Sequence, residues 1–109
     1  MDGHILKRLR AFCLALPDAH ETDTWGHVQF RVRNKIFCGT GDMGGGDSIS
    51  MKVGLPMQGV LLQDPRFFSS PFVGQHGWVS LRVDAPIDWP HLEALIEGSY
   101  EMIRRPRRK

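Results

Sequence analysis

Arg31, Lys52 and Arg82 stand at alternate positions of three short segments with strand character, and Trp78 opens the segment that Arg82 ends. Cations in such a pattern neutralise phosphate, and an indole beside them gives a base a surface on which to stack. Arg33 and Lys35 follow Arg31 at alternate positions and add two charges close to a turn. The other chemistry-bearing residues do not assemble. His4, His20, His27, His76 and His91 show no HxH or HExxH spacing, so no metal site is expected. His20 with Asp18, Glu21 and Asp23 reads as a polar loop. Cys13 and Cys38 form no CxxC, and both read as small buried fillers rather than zinc ligands or disulfide partners. There is no GxSxG, and GDSIS reads as the approach to a strand, not as a nucleophile elbow. GTGDMGGGD (residues 39–47) lacks the Gly-Lys-Ser/Thr ending of a phosphate cradle and precedes a strand, so it reads as a flexible connection. No catalytic constellation emerges, and no cofactor is expected.

These residues need elements to hold them. Ile5, Leu6, Leu9, Phe12, Cys13 and Leu16 recur at helical spacing, with Asp2 as N-cap and Pro17 beyond the end, which predicts a first helix over residues 4–16. Val28, Phe30 and Val32 alternate with Gln29, Arg31 and Arg33, as in a hairpin strand. An Arg33-Asn34 turn would pair Val32 with Lys35 and Phe30 with Phe37. The poor fit of Arg to positive φ leaves a longer turn open. SISMKV (48–53) and WVSLRV (78–83) alternate as strands. Pro56 starts a short helix that carries Met57, Val60 and Leu61, and Phe72-Val73 suggests one more short strand. Asp88 caps a final helix whose face holds Leu92, Leu95, Ile96, Ser99, Tyr100 and Ile103 and which Pro106 ends. With no βαβ alternation, the order α-β-β-β-α-(β)-β-α predicts an α+β two-layer sandwich, an antiparallel sheet with helices on one face. Arg31, Lys52, Trp78, Ser80 and Arg82 would then share the opposite face.

The chain has 109 residues, enough for one core, and 41% of them are hydrophobic, near ordinary globular usage. A single domain over residues 1–105 is expected, followed by a basic tail at 106–109. The formal charge of +2 misleads, because five of the fourteen basic residues lie in the last six positions. Residues 1–103 hold nine basic against twelve acidic residues, so the body is mildly acidic. The RRPRRK end repels itself and attracts polyanions, and it equally suits a solubilising end. No apolar run approaches the roughly 18 residues of a membrane span, and the N-terminus does not read as a signal peptide. With two unpaired cysteines, a cytoplasmic setting is expected.

The run LRAFCLALPDAHETDTWGHVQFRVRNKIFC, then SISMKV, HGWVSLRV and LIEGSYEMIRR, resembles the MmcQ/YjbR family of small bacterial proteins over about residues 6–105. Its pieces here include Leu16-Pro17, Trp25-Gly26, Phe30-Arg31-Val32, Lys52-Val53, Gly77-Trp78-Val79 and Ser99-Tyr100. The resemblance implies a fold of the secretion-chaperone-like or CyaY-like kind, a double-wing DNA-binding role and no established enzymatic activity. It carries over Trp25, Lys35, Lys52, Trp78, Ser99 and Tyr100 as motif residues. The chain departs from the family pattern in its Arg33-Asn34 turn and its longer glycine stretch.

The expectation is therefore a non-enzymatic nucleic-acid-binding module for double-stranded DNA, using Arg31, Arg33, Lys35, Lys52, Trp78 and Arg82. The alternative is a protein-interaction or chaperone-like module that holds a peptide or dimerises through the sheet. A continuous positive patch would favour the first, and an apolar groove beside Trp78 the second. A deep pocket with convergent His and Asp side chains would point instead to a small-molecule site.

Overall fold

The computed structural model describes residues 1–42, 46–70 and 73–105. Helix α1 (Gly3–Leu14) leads into strands β1 (His20–Thr24), β2 (His27–Val32), β3 (Lys35–Gly41) and β4 (Ser48–Lys52). Helix α2 (Leu55–Leu61), strand β5 (Phe67–Ser69), a 3₁₀ turn (Gly74–His76), strand β6 (Trp78–Arg82) and helix α3 (Trp89–Arg104) complete the domain. The sheet has six antiparallel strands in the order β1-β2-β3-β4-β6-β5. The α+β class and the element order are those expected, with one strand added at the edge. Among the described residues no helix is long and apolar enough to cross a membrane.

Both long helices begin where the caps predict. Asp2 Oδ1 accepts from His4 N at 2.7 Å, and Asp88 Oδ1 accepts from His91 N at 3.3 Å. Each bond satisfies one N–H that the first turn leaves without a partner. Leu9 and Cys13 of α1 and Leu92, Ile96, Ser99 and Tyr100 of α3 are buried against one face of the sheet. That face supplies Val28, Phe30, Val32, Phe37, Cys38, Ile49, Met51, Phe67, Val79 and Leu81. Cys13 and Cys38, both free thiols, meet in this core, and the Cys38 thiol is pushed well above its ordinary value, first by a hydrogen bond with Cys13 and then by burial.

Several local expectations are corrected. The polar stretch His20–Thr24 is a strand, paired along its length with His27–Arg31. Its core-side residue Glu21 makes a two-pronged ion pair with Arg10 of α1, at 2.9 Å for Nε to Oε1 and for Nη2 to Oε2, so an edge strand without apolar alternation is tied down by charge. The Arg33-Asn34 turn has two central residues, both left-handed (φ 52° and 64°), and Val32 pairs with Lys35. Phe30, however, pairs with Cys38, because a bulge takes up Phe37. Phe37 and Cys38 consequently both point into the core. Gly39 and Gly41 belong to β3 rather than to a connection, and residues 43–45 of that segment lie outside the described residues. The short strand falls at Phe67–Ser69, Val73 sits in a turn, and Phe72 lies outside the described residues. Met57 and Val60 of α2 are exposed, and only Leu61 of that helix is buried. The end of the basic tail, 106–109, also lies outside the described residues.

Candidate nucleic-acid interface

Directly paired residues on neighbouring strands share a face, so the register spells out the side of the sheet that the core does not use. Its middle row runs across all six strands as Thr22, Gln29, Gly39, Ser50, Ser80 and Phe68. Toward one end stand His20, Arg31 and Ile36 on β1 to β3, with the pair Lys52 and Trp78 on β4 and β6. Toward the other stand Gly41, Ser48 and Arg82. The strand charges segregate. The carboxylates Glu21 and Asp23 are paired with Phe30 and Val28 and so lie on the core side. The open face takes Arg31, Lys52 and Arg82, and of the strand cations only Lys35 lies on the core side.

Glycine and serine fill the centre of this face, and larger side chains stand around them. The difference in height leaves a cleft of about 280 Å³. Its floor is Gly39, Gly41, Ser48, Ser50 and Ser80, and Gln29, Ile36, Trp78 and Val73 stand along its walls. Three hydroxyls form a chain across the floor, with Ser50 Oγ to Ser80 Oγ at 2.7 Å and Ser80 Oγ to Ser70 Oγ at 2.9 Å. His27 lines the cleft and its Nε2 lies 3.4 Å from Asp42, which is outside the lining. No hydrogen bond joins His27 to a serine among the described residues, so the nucleophile and base of an acyl-transfer site are not connected.

Four of the six residues singled out from the sequence come together. Arg31 reaches neutral partners, with Nε to Thr22 Oγ1 at 3.1 Å and Nη1 to the Asn34 carbonyl at 3.3 Å. Lys52 is half-buried across from Trp78. The Arg82 guanidinium lies 4.6 Å from the centre of the Phe68 ring. Arg33 and Lys35 leave the group. Arg33 extends over the helix side, where Nη1 reaches the Arg104 carbonyl at 3.4 Å, and Lys35 shares the face of buried Val32. Among the described residues Arg31 and Lys52 have no carboxylate partner, whereas Arg8, Arg10, Arg66 and Arg104 are each ion-paired. The floor residues Gly39, Gly41, Ser48 and Ser50 were not singled out, although small residues at every second position of two strands were there to be seen.

A family model described as YjbR matches residues 14–102. The chain belongs to the YjbR family. Among solved structures, a DUF419-domain protein from Deinococcus radiodurans is similar at 22% identity and a TM-score of 0.78, covering 90% of this chain and 77% of that one. A Pseudomonas syringae protein is 18% identical with a TM-score of 0.76, covering 95% and 100%. A DUF1801-family protein from Bacillus subtilis is more distant, at 13% identity and a TM-score of 0.57, with 91% and 74% covered. These are likenesses of fold. A search of curated proteins finds no match.

The residues that the resemblance carries over divide by task. Ser99 Oγ donates to the Phe37 carbonyl at 2.7 Å and accepts from Lys52 N at 3.0 Å, so one hydroxyl joins β3 and β4 to α3. Tyr100 donates to the Pro17 carbonyl at 2.7 Å and meets Phe37 edge-to-face at 5.3 Å. Both hold the YjbR fold together. Trp25 does not: it is 97% exposed at the β1–β2 turn, in a left-handed conformation (φ 53°) followed by Gly26 (φ 83°). Lys52 and Trp78 face the cleft side.

Proposed function

We propose that this protein binds nucleic acid on the open face of its sheet and catalyses no reaction. The supporting observation is the distribution of strand charge: three of the four strand cations, Arg31, Lys52 and Arg82, lie on the open face, and both strand carboxylates, with Lys35, lie on the helix-covered one. In a body that is net acidic, this concentrates positive potential on the side carrying Trp78. Lys52 and Arg82 stand one strand apart and four residues along, about 14 Å between backbones. They bracket the cleft. Family membership is compatible with the reading.

Salt dependence tests it. The logarithm of the association constant for a DNA oligonucleotide should fall linearly with the logarithm of salt concentration. Each of Lys52→Gln and Arg82→Gln should make that slope shallower by about 0.7 to 0.9, the contribution of one phosphate contact. Affinity and slope unchanged by both substitutions would remove the sheet from the site, even if the basic tail still held DNA.

The apolar walls formed by Ile36, Val73 and Trp78 favour a second reading, a peptide-binding module. Its binding would tolerate salt. Strand addition at the sheet edges supports it less, because β5 has three residues and β1 is polar throughout.

A further inference from the structure

We infer that the cleft receives one unpaired base, so that the preferred ligand is single-stranded rather than duplex nucleic acid. This rests on the open face being a nucleic-acid surface, and it departs from the duplex expectation drawn from the sequence. A cavity of about 150 Å³ holds a benzene-sized ring. At about 280 Å³, the cleft has room for a one- or two-ring heterocycle. A base inside a duplex cannot leave its stack to enter without the cost of unpairing, whereas an unpaired base pays none of it.

The chemistry of the lining suits a base. Trp78, Ile36 and Val73 give apolar contact to its faces and edges. The serine chain gives its polar atoms partners. Three hydroxyls hold three donor hydrogens, and the two bonds among them use two. Ser70 and Ser80 are buried, so the remaining capacity is presented chiefly at half-buried Ser50. Hydroxyl rotors donate or accept as required, which predicts weak discrimination among bases. Lys52 near one end and Arg82 near the other are placed for the phosphates that flank the inserted nucleotide. A neutral peptide would draw on neither.

Gly39 offers a way to close the cleft without disturbing the fold. Its φ is not left-handed, and a Cβ there would meet only Gln29 Cγ at 3.9 Å and Ile36 Cγ2 at 4.0 Å, ordinary contacts. Gly41 has nothing within 4 Å of such a Cβ and serves as a second position. The experiment measures fluorescence anisotropy of a labelled oligodeoxythymidine, its duplex with oligodeoxyadenosine, and an abasic strand of equal length, with wild type, Gly39→Leu and Gly41→Leu. The single strand should bind at least about fivefold tighter than the duplex or abasic strand, the lower end of what one stacked base contributes. Both variants should melt no lower than wild type and lose that advantage. Equal affinity for single strand and duplex, or an advantage that survives in variants that remain folded, overturns the inserted base and leaves the nucleic-acid reading standing. Absence of binding to all three probes at low salt overturns both.

Discussion

The two faces of the one sheet are made from the same strands, residue by residue in alternation, and are built on opposite plans. On the helix-covered face Phe30, Phe37, Ile49, Met51 and Val79 fill space, and none is more than 1% exposed. On the open face Gly39, Gly41, Ser48, Ser50 and Ser80 leave space. The first arrangement converts apolar area removed from water into stability. The second forgoes that area and keeps hydroxyls in a walled depression, with Lys52 toward one end and Arg82 toward the other. The contrast teaches that the same strands can serve stability on one face and the proposed binding on the other, separated by side-chain direction alone.

The largest way to test the separation is Phe37→Ala. Phe37 is fully buried and meets Tyr100 edge-to-face, and its loss should lower stability by about 3–5 kcal/mol, read as a shift in the urea midpoint at constant slope. Next is Ser99→Ala, which strands the Phe37 carbonyl and the Lys52 N–H together and should cost about 2–4 kcal/mol. It also probes a joint between the faces, because Lys52 presents its side chain to the open side while its backbone is held from the helix side. If the folded fraction of Ser99→Ala binds DNA as wild type does, the two faces are uncoupled. Paired substitution of Lys52 and Arg82 by Gln should leave stability within about 0.5 kcal/mol of wild type while changing the salt slope. A large stability loss there would mean that the open face is structural after all. The smallest effect concerns the turn before β5, where bonds from the Arg66 side chain and then its backbone N–H hold the Asp64 carboxyl at about 2. Arg66→Ala removes the side-chain bonds and keeps the backbone one, so the carboxyl should rise part of the way toward the usual carboxylate range in an NMR titration. Because the folded value is depressed, any stability it contributes is present above the unfolded value and is lost as pH falls toward about 2.

Much of the helix-covered face was legible in the sequence, because apolar residues at helical or alternate spacing leave a periodic trace. The caps Asp2 and Asp88, the Arg33-Asn34 turn and the alternation of Val28, Phe30 and Val32 all follow local rules. The bulge at Phe37 does not, since inserting one residue changes pairing without changing composition. Strand β1 left no trace because an edge strand with exposed polar residues has no hydrophobic period, and what holds it is a partner on α1. Gly39 and Gly41 read as loop for the reason that makes them useful: glycine is a poor strand former, and here its missing side chain is the floor of a cleft. Of the candidate site, alternation placed Arg31, Lys52, Trp78 and Arg82 on one face, and it could not reveal that Arg33 reaches back over α3.

The bonds that close the domain come from its last helix. Ser99 reaches Phe37, 62 positions earlier, and Tyr100 reaches Pro17, 83 positions earlier. During synthesis the hairpins can pair as they appear, because their contacts are local. The apolar side of the sheet nevertheless lacks most of its cover until α3 has left the ribosome. A chain stalled before that point presents Phe30, Phe37, Ile49 and Met51 to whatever is nearby, so translation arrest upstream of Trp89 should yield a chaperone client or an aggregate rather than a smaller native domain.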